Sequence, residues 1–516
     1  MAFKFFEGKK MNQRKIGAIL SYISLAANSC IGLIYIPLLL YFLTKEQYGL
    51  YQLIGAMIAY LGTMDFGLAN TTTRYYSGYL ATGEKEKQQN LLATMGILYS
   101  FIALGIILVG LIMFFALLPF YANTLSAGEL ITAKWLFLIM LFNMSFMIPG
   151  NIFVAIINSH EKFVFAKTLS LINIILQPVL VVCALSIKPS VIFIALAQTF
   201  CALSAILINV YYSFFRLKVH FKLYKWDNKF VNEILAFSFF IFLIALMDLV
   251  YVKTGQVVLG AVMGTAAVAV YSVGIQFLMI YRSMSGAIFS VFLPYFSAKA
   301  AQSDDMTEIN KTFIKVSRLQ FFILSLILCG FILYGKTFIL LWVGQDFLPA
   351  YIYGILFMAG WLWISSQNAA SLIVQAKNKH KVYALIYVFT GVISIIMSVP
   401  FAKIWGGIGC VFATIISLLI GQGLLTNIYY VKLGIDIKGY LKNTSKFALS
   451  ALISLLLGLG LSKLFFPAGI CQLLWQIPVF TFIFFIVAWF VVLNNYEKNL
   501  MFYTPFNKLK SLRRKK

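Results

Sequence analysis

Runs of about 20 apolar residues recur through this sequence from end to end, and that recurrence limits the fold more than any other feature. A helix of that length crosses the hydrocarbon core of a bilayer, which is roughly 30 Å thick. The 516 residues are 61% hydrophobic and 11% charged, against about 25% charged in soluble domains, so a soluble fold would have no means of covering its core. Fourteen spans are expected, from Ile16–Leu43 to Pro478–Leu493. The fold class is therefore an all-α polytopic membrane protein. The basic start MAFKFFEGKKMNQRK is followed by an apolar stretch of spanning length without a small-residue cleavage site, so no cleavable signal peptide is expected.

The net charge of +25 would point to nucleic acid in a soluble protein; here its placement argues otherwise. With the N-terminus in the cytoplasm, the inner segments carry 33 Lys and Arg and the outer segments 6. That bias puts both termini, and the basic tail Lys508–Lys516, on the cytoplasmic side of the membrane, and it supports an even number of spans. The six cysteines are scattered with no CxxC, and His160, His220 and His380 lie far apart, so neither a metal site nor a cofactor is expected.

An internal repeat runs through the chain at an offset of about 220 residues. Tyr51 falls on Tyr271, Tyr75 on Tyr295, Ser77 on Ser297, Glu84 on Asp304 and Asn90 on Asn310. Spans one to six (1–220) make an N-lobe, spans seven to twelve (221–432) a C-lobe, and 433–516 adds spans thirteen and fourteen with the tail. Two lobes of six spans each enter the membrane from the same side, so the repeat is parallel, about an axis along the membrane normal.

The stretch from Tyr48, ending DFGLANTTTRYY, resembles the second span of Wzx-type polysaccharide flippases. EILAFSFFIFLIALMDLVYVKTGQVVLGAVMGTAAVAVYSVG at the head of the second lobe resembles the same family, and so does the 6 + 6 + 2 arrangement. These flippases belong to the multidrug/oligosaccharidyl-lipid/polysaccharide (MOP) exporter superfamily. The resemblance implies a transporter that moves an undecaprenyl-pyrophosphate-linked oligosaccharide, an O-antigen or other polysaccharide repeat unit, from the cytoplasmic to the periplasmic leaflet. It also implies work alongside a polysaccharide polymerase and a chain-length regulator. A monomer is expected, with membrane lipid around it and Na+ or H+ as the coupling ion.

Helical phase picks out candidate residues. Ser21, Ser24, Asn28, Gly32 and Tyr35 form a polar stripe on span one, Ser272, Gln276 and Ser283 one on span eight, and Gln52 and Thr63 one on span two. Such stripes face a hydrated cavity or a tight helix interface, because small and hydroxyl residues serve both. Charges inside spans need a partner or a cavity. Arg282 lies about seventeen residues into span eight, and its planar fork suits a diphosphate. Lys253 either lines the cavity or snorkels to the outer interface. Asp248 is the candidate for ion coupling and shares a broad face with Lys253 and Gln256. Arg74, just past span two, would meet the diphosphate on entry. Asp65 lies off the Gln52 stripe and reads as structural.

Two further readings belong to the same superfamily: a flippase of lipid II, the peptidoglycan precursor, and a drug/cation antiporter. An antiporter would favour acids in the spans, whereas here Lys253 and Arg282 lie within them. An enzyme would need acids or a metal site on a large outer loop, and the outer loops are short. The topology is open to test. Reporter fusions at Lys85, Lys222, Lys379 and Lys510 are expected to read cytoplasmic, and a periplasmic reading at any of them breaks the fourteen-span arrangement.

Overall fold

A computed structural model describes residues 13–302, 306–377, 379–464 and 469–498. Asp304 and the tail Lys508–Lys516 lie outside the described residues. All regular structure among the described residues is helical. The spans of the first half are α1 (Gln13–Phe42), α2 (Lys45–Gly62) continued by α3 (Leu68–Thr82), α4 (Lys85–Leu117), α5 (Ala127–Ser159), α6 (Phe163–Ile187) and α7 (Val191–Tyr211). There follow α8 (Asn228–Met263), α9 (Thr265–Gln302), α10 (Met306–Trp342), α11 (Pro349–Ser366), α12 (Asn368–Ala376), α13 (His380–Leu418), α14 (Thr426–Lys432), α15 (Ile437–Leu464), α16 (Ile470–Val491) and the short α17 (Asn495–Lys498).

Thirteen stretches of described helix are long and apolar enough to cross a membrane. One of them, Lys381–Lys432, has 52 residues, far more than one crossing needs. Gly406 interrupts it with φ 59° and ψ −135°, a conformation that residues with a Cβ rarely adopt. The chain doubles back there: a Cβ on Gly409 would fall 2.0 Å from the carbonyl oxygen of Phe401. Divided at this turn, the described chain holds fourteen crossing segments, the expected number. The seventh and eighth are joined by the single residue Gly264.

The second span is broken between α2 and α3. Between α2 and α3 lies a 3-10 turn, Thr63–Asp65, and then Phe66 and Gly67 both adopt left-handed backbone, at φ 52° and 69°. Hydrocarbon offers no partner for the groups freed by such a break, so protein must supply one. The Gly67 carbonyl restarts the helix by accepting from the Asn70 and Thr71 amides. Asp65 Oδ1 accepts from Tyr99 Oη at 3.1 Å on α4 and from Asn151 Nδ2 at 3.2 Å on α5. The carboxylate thus pins the break to two neighbouring helices, the structural role read from its position.

The 220-residue offset reappears in the bonding. At the start of α4, Asn90 donates to the Lys225 carbonyl at 2.9 Å and accepts from the Tyr224 and Lys225 amides, clamping the chain that leaves the sixth span. At the start of α10, Asn310 donates to the Gly434 carbonyl at 2.8 Å and accepts from the Asp436 amide, clamping the chain that leaves the twelfth. The node around Asp65 recurs as well. Ser285 Oγ accepts from Asn368 Nδ2 at 3.2 Å and from Gln320 Nε2 at 3.4 Å, close to the positions 220 residues beyond Asp65, Asn151 and Tyr99.

The chain divides into two compact units. One is the chain up to Val273 together with Tyr387–Thr414; the other is Gly274–Ile386 together with Ile415 onward. Within the first of them α8 is bonded to what precedes it. Tyr121 Oη donates to the Val257 carbonyl at 3.0 Å and Thr124 Oγ1 to the Gly260 carbonyl at 2.9 Å. Tyr60 Oη and Thr254 Oγ1 share a 3.0 Å bond, and Thr265 Oγ1 donates to Glu129 Oε1 at 2.7 Å.

In the second unit a buried ion pair ties the last helices to α10. Arg318 and Glu497 are 6% and 5% exposed. The guanidinium meets the carboxylate twice, Nε to Oε1 at 2.5 Å and Nη2 to Oε2 at 2.8 Å. Its Nη2 also donates to the Val492 carbonyl, Nη1 reaches Asn443 Oδ1 at 3.3 Å, and the group lies over the Phe447 ring at 4.7 Å. Removing one partner would leave a buried charge uncompensated, a loss of about 3–5 kcal/mol. Glu497→Ala is therefore expected to lower the thermal unfolding midpoint of detergent-purified protein and cut its yield in membranes. An unchanged midpoint would show that the pair contributes nothing to stability.

Candidate functional site

Within the first unit, α1, α5, α6 and α7 enclose a cavity of about 710 Å3. Each helix gives it a polar face at helical spacing: Asn28, Gly32 and Tyr35 from α1; Asn143, Gly150 and Asn151 from α5; Ser170, Asn173 and Gln177 from α6; Gln198 and Asn209 from α7. Small residues between them, among them Ala166, Ala202 and Ala205, hold the helices close without filling the space. The lining holds seven side-chain amides and no charged group.

Two of these amides are already bonded, Asn151 to Asp65 and Gln198 Nε2 to Tyr51 Oη at 2.6 Å. Asn143 Oδ1 is buried with no hydrogen-bond partner. A surface of this kind can donate and accept in equal measure. It has no carboxylate to hold a cation and no Lys or Arg to hold a phosphate.

Of the residues singled out in the sequence, Asn28 lines this cavity. Gln52, on α2, donates to Tyr48 Oη at 2.9 Å. Gln256 is 1% exposed, and its Nε2 donates to Ser272 Oγ at 2.6 Å, so that amide joins α8 to α9. Lys253 is half-buried on α8, where no described acid pairs with it. Asp248 is half-buried on the same helix, one turn before Tyr251, whose Oη shares a 2.6 Å bond with Thr390 Oγ1. Arg74 is exposed on α3, 6.0 Å from the Tyr75 ring centroid.

Gln276 and Arg282 belong to the second unit. Both are half-buried on α9, and the Arg282 guanidinium lies 5.9 Å from the centre of the Trp361 ring. The candidates therefore do not form one group: Asn28 lines the amide cavity, Gln52 lies on α2, Arg74 on α3, Asp248, Lys253 and Gln256 on α8, and Gln276 and Arg282 on α9. Asn143, Asn151, Asn173, Gln177, Gln198 and Asn209 went unnoticed in the sequence. The signal was there in part, since Ser170, Asn173 and Gln177 repeat at i, i+3, i+7 inside an apolar span.

Comparison with known proteins places this architecture. A family described as polysaccharide biosynthesis protein matches residues 16–300, more than half of the chain. The fold is similar to that of the lipid II flippase MurJ in an inward closed conformation, with 18% identity, 92% of this chain and 97% of that one covered, and a TM-score of 0.67. It is also similar to an inward-facing MATE-family multidrug resistance transporter of the MOP superfamily (13% identity, 79% and 95% covered, TM-score 0.63). A MOP superfamily transporter from Pyrococcus furiosus is related in the same way (14% identity, 81% and 94% covered, TM-score 0.53). No curated protein sequence matches. At these identities the structural likeness speaks for the fold, and the family match speaks for membership. The chain is a multi-pass membrane protein with the fold seen in the MurJ and MATE structures, and it belongs to the polysaccharide biosynthesis protein family.

Proposed function

We propose that this protein flips a polyprenyl-diphosphate-linked oligosaccharide from the cytoplasmic to the periplasmic leaflet of a bacterial inner membrane, by alternating access of two six-span lobes. The observation that carries the reading is the pair of basic side chains within the spans, Lys253 on α8 and Arg282 on α9. A cation in a span is costly and needs a compensating anion or water. Arg282 lies 5.9 Å from the centre of the Trp361 ring, and a guanidinium keeps its charge and donates to a phosphate through two parallel N–H groups. A diphosphate is the anionic group that every polyprenyl-linked glycan carries, and the family's place in polysaccharide synthesis supports that cargo. Asp248 takes the coupling ion, Na+ or H+, in this reading.

The fold shared with a lipid II flippase favours one close alternative, since lipid II carries the same diphosphate on a different glycan. The two are separated by which deletion the gene rescues, a flippase of surface polysaccharide or that of the peptidoglycan precursor.

Arg282 is the test. In cells lacking their own polysaccharide flippase, Arg282→Lys is expected to keep part of the surface glycan, because charge survives while the two-pronged geometry is lost. Arg282→Ala is expected to lose about tenfold or more, the scale of a charge-assisted hydrogen bond, and Arg282→Glu to do no better. Membrane levels of each variant are compared by blot. Full glycan from well-expressed Arg282→Glu would remove Arg282 from the binding site.

A further inference from the structure

The amide cavity differs in chemistry from the two basic positions. Its lining has no cation for the diphosphate and, beyond one ring, Tyr35, nothing suited to stacking. It is built from groups that bond hydroxyls and acetamides: each Asn or Gln offers one acceptor oxygen and two donor hydrogens on a short stem. The side-chain amides of Asn28, Asn173, Gln177 and Asn209 bond to no other described residue. Asn143 Oδ1 is buried and lacks a donor. In a membrane protein, amides left open in this way mark a place where a polar ligand or water completes the bonding. A cavity of about 710 Å3 lies within the range of small-molecule sites, about 300–1,000 Å3.

We propose that this cavity is a sugar subsite that takes an uncharged mono- or disaccharide portion of the glycan, recognised through its hydroxyl and N-acetyl groups. This rests on the flippase reading and adds to it where the sugar is selected. Asn28 stands near the middle of α1, whereas Asn209 and Ala166 stand near the helix ends that the Lys and Arg distribution assigns to the cytoplasm. A sugar entering from the side of synthesis would meet amides along the whole way. A site made of neutral donors and acceptors discriminates by what it leaves unpaired, so a glycan lacking the matching hydroxyl leaves an amide without its partner in the complex. An organic cation would find no acid there.

The test uses full-length protein in lipid nanodiscs with three probes: farnesyl diphosphate, farnesyl diphosphate carrying an N-acetylglucosamine disaccharide, and tetraphenylphosphonium. Wild type is expected to bind the glycosylated lipid more tightly than the bare one and to ignore the cation. Asn143→Leu and Asn173→Leu are each expected to reduce that sugar-dependent gain roughly tenfold, the effect of one or two lost hydrogen bonds, without weakening the bare diphosphate. Arg282→Ala is expected to weaken both lipids alike.

Thermal unfolding separates recognition from structure. Because the Asn143 oxygen has no partner, Asn143→Leu is expected to keep or raise the midpoint while sugar binding falls. Equal binding of both lipids by wild type would overturn the subsite and leave the flippase reading standing. Binding of neither would overturn both. An undiminished sugar gain in the two Leu variants, or tetraphenylphosphonium binding that those variants abolish, would also overturn the subsite.

Discussion

A bilayer gives the backbone nothing to bond to, so a departure from regular helix within a span needs a partner inside the protein. The break after Asp65 is the clearest case. Two left-handed residues stop one helix, a glycine carbonyl starts the next, and a carboxylate fastens the interruption to α4 and α5. Asn151, which completes that fastening, also lines the amide cavity, so the broken span and the cavity wall share a hydrogen bond. Movement of α5 at this level changes the setting of the break, and the reverse holds too.

Much of this architecture could be read from the residues. Length and hydropathy located the spans, and Gly406 and Gly264 divided helical runs that are continuous in composition. Asn90 and Asn310, matched by spacing alone, proved to clamp the same part of their respective halves. Asp65 read as structural because it lay off the polar stripe, and two donors hold it. These features are local or periodic, and a linear text keeps such information.

The amide cavity was hidden for a physical reason. A charge inside a span is conspicuous because it is expensive, whereas a neutral amide costs little and attracts no notice singly. Asn28, Asn143, Asn173 and Asn209 come together through the packing of four helices spread over about 180 residues, and nothing in any one helix announces the other three. The attachment of α8 was hidden likewise, since hydroxyls such as Tyr60, Tyr121 and Thr124 fix it through partners distant in sequence.

The two hydrogen-bond nodes stand 220 residues apart and differ in chemistry, so Asp65 and Ser285 are not interchangeable. The Ser285 hydroxyl accepts from Asn368 and Gln320 and also donates to the Ser365 carbonyl at 3.0 Å. A carboxylate in its place would set an anion against that carbonyl. A serine in the place of Asp65 would leave Tyr99 and Asn151 to share a smaller, uncharged oxygen. Each node is therefore fitted to the one residue it holds, and exchanging the two would cost both their bonding.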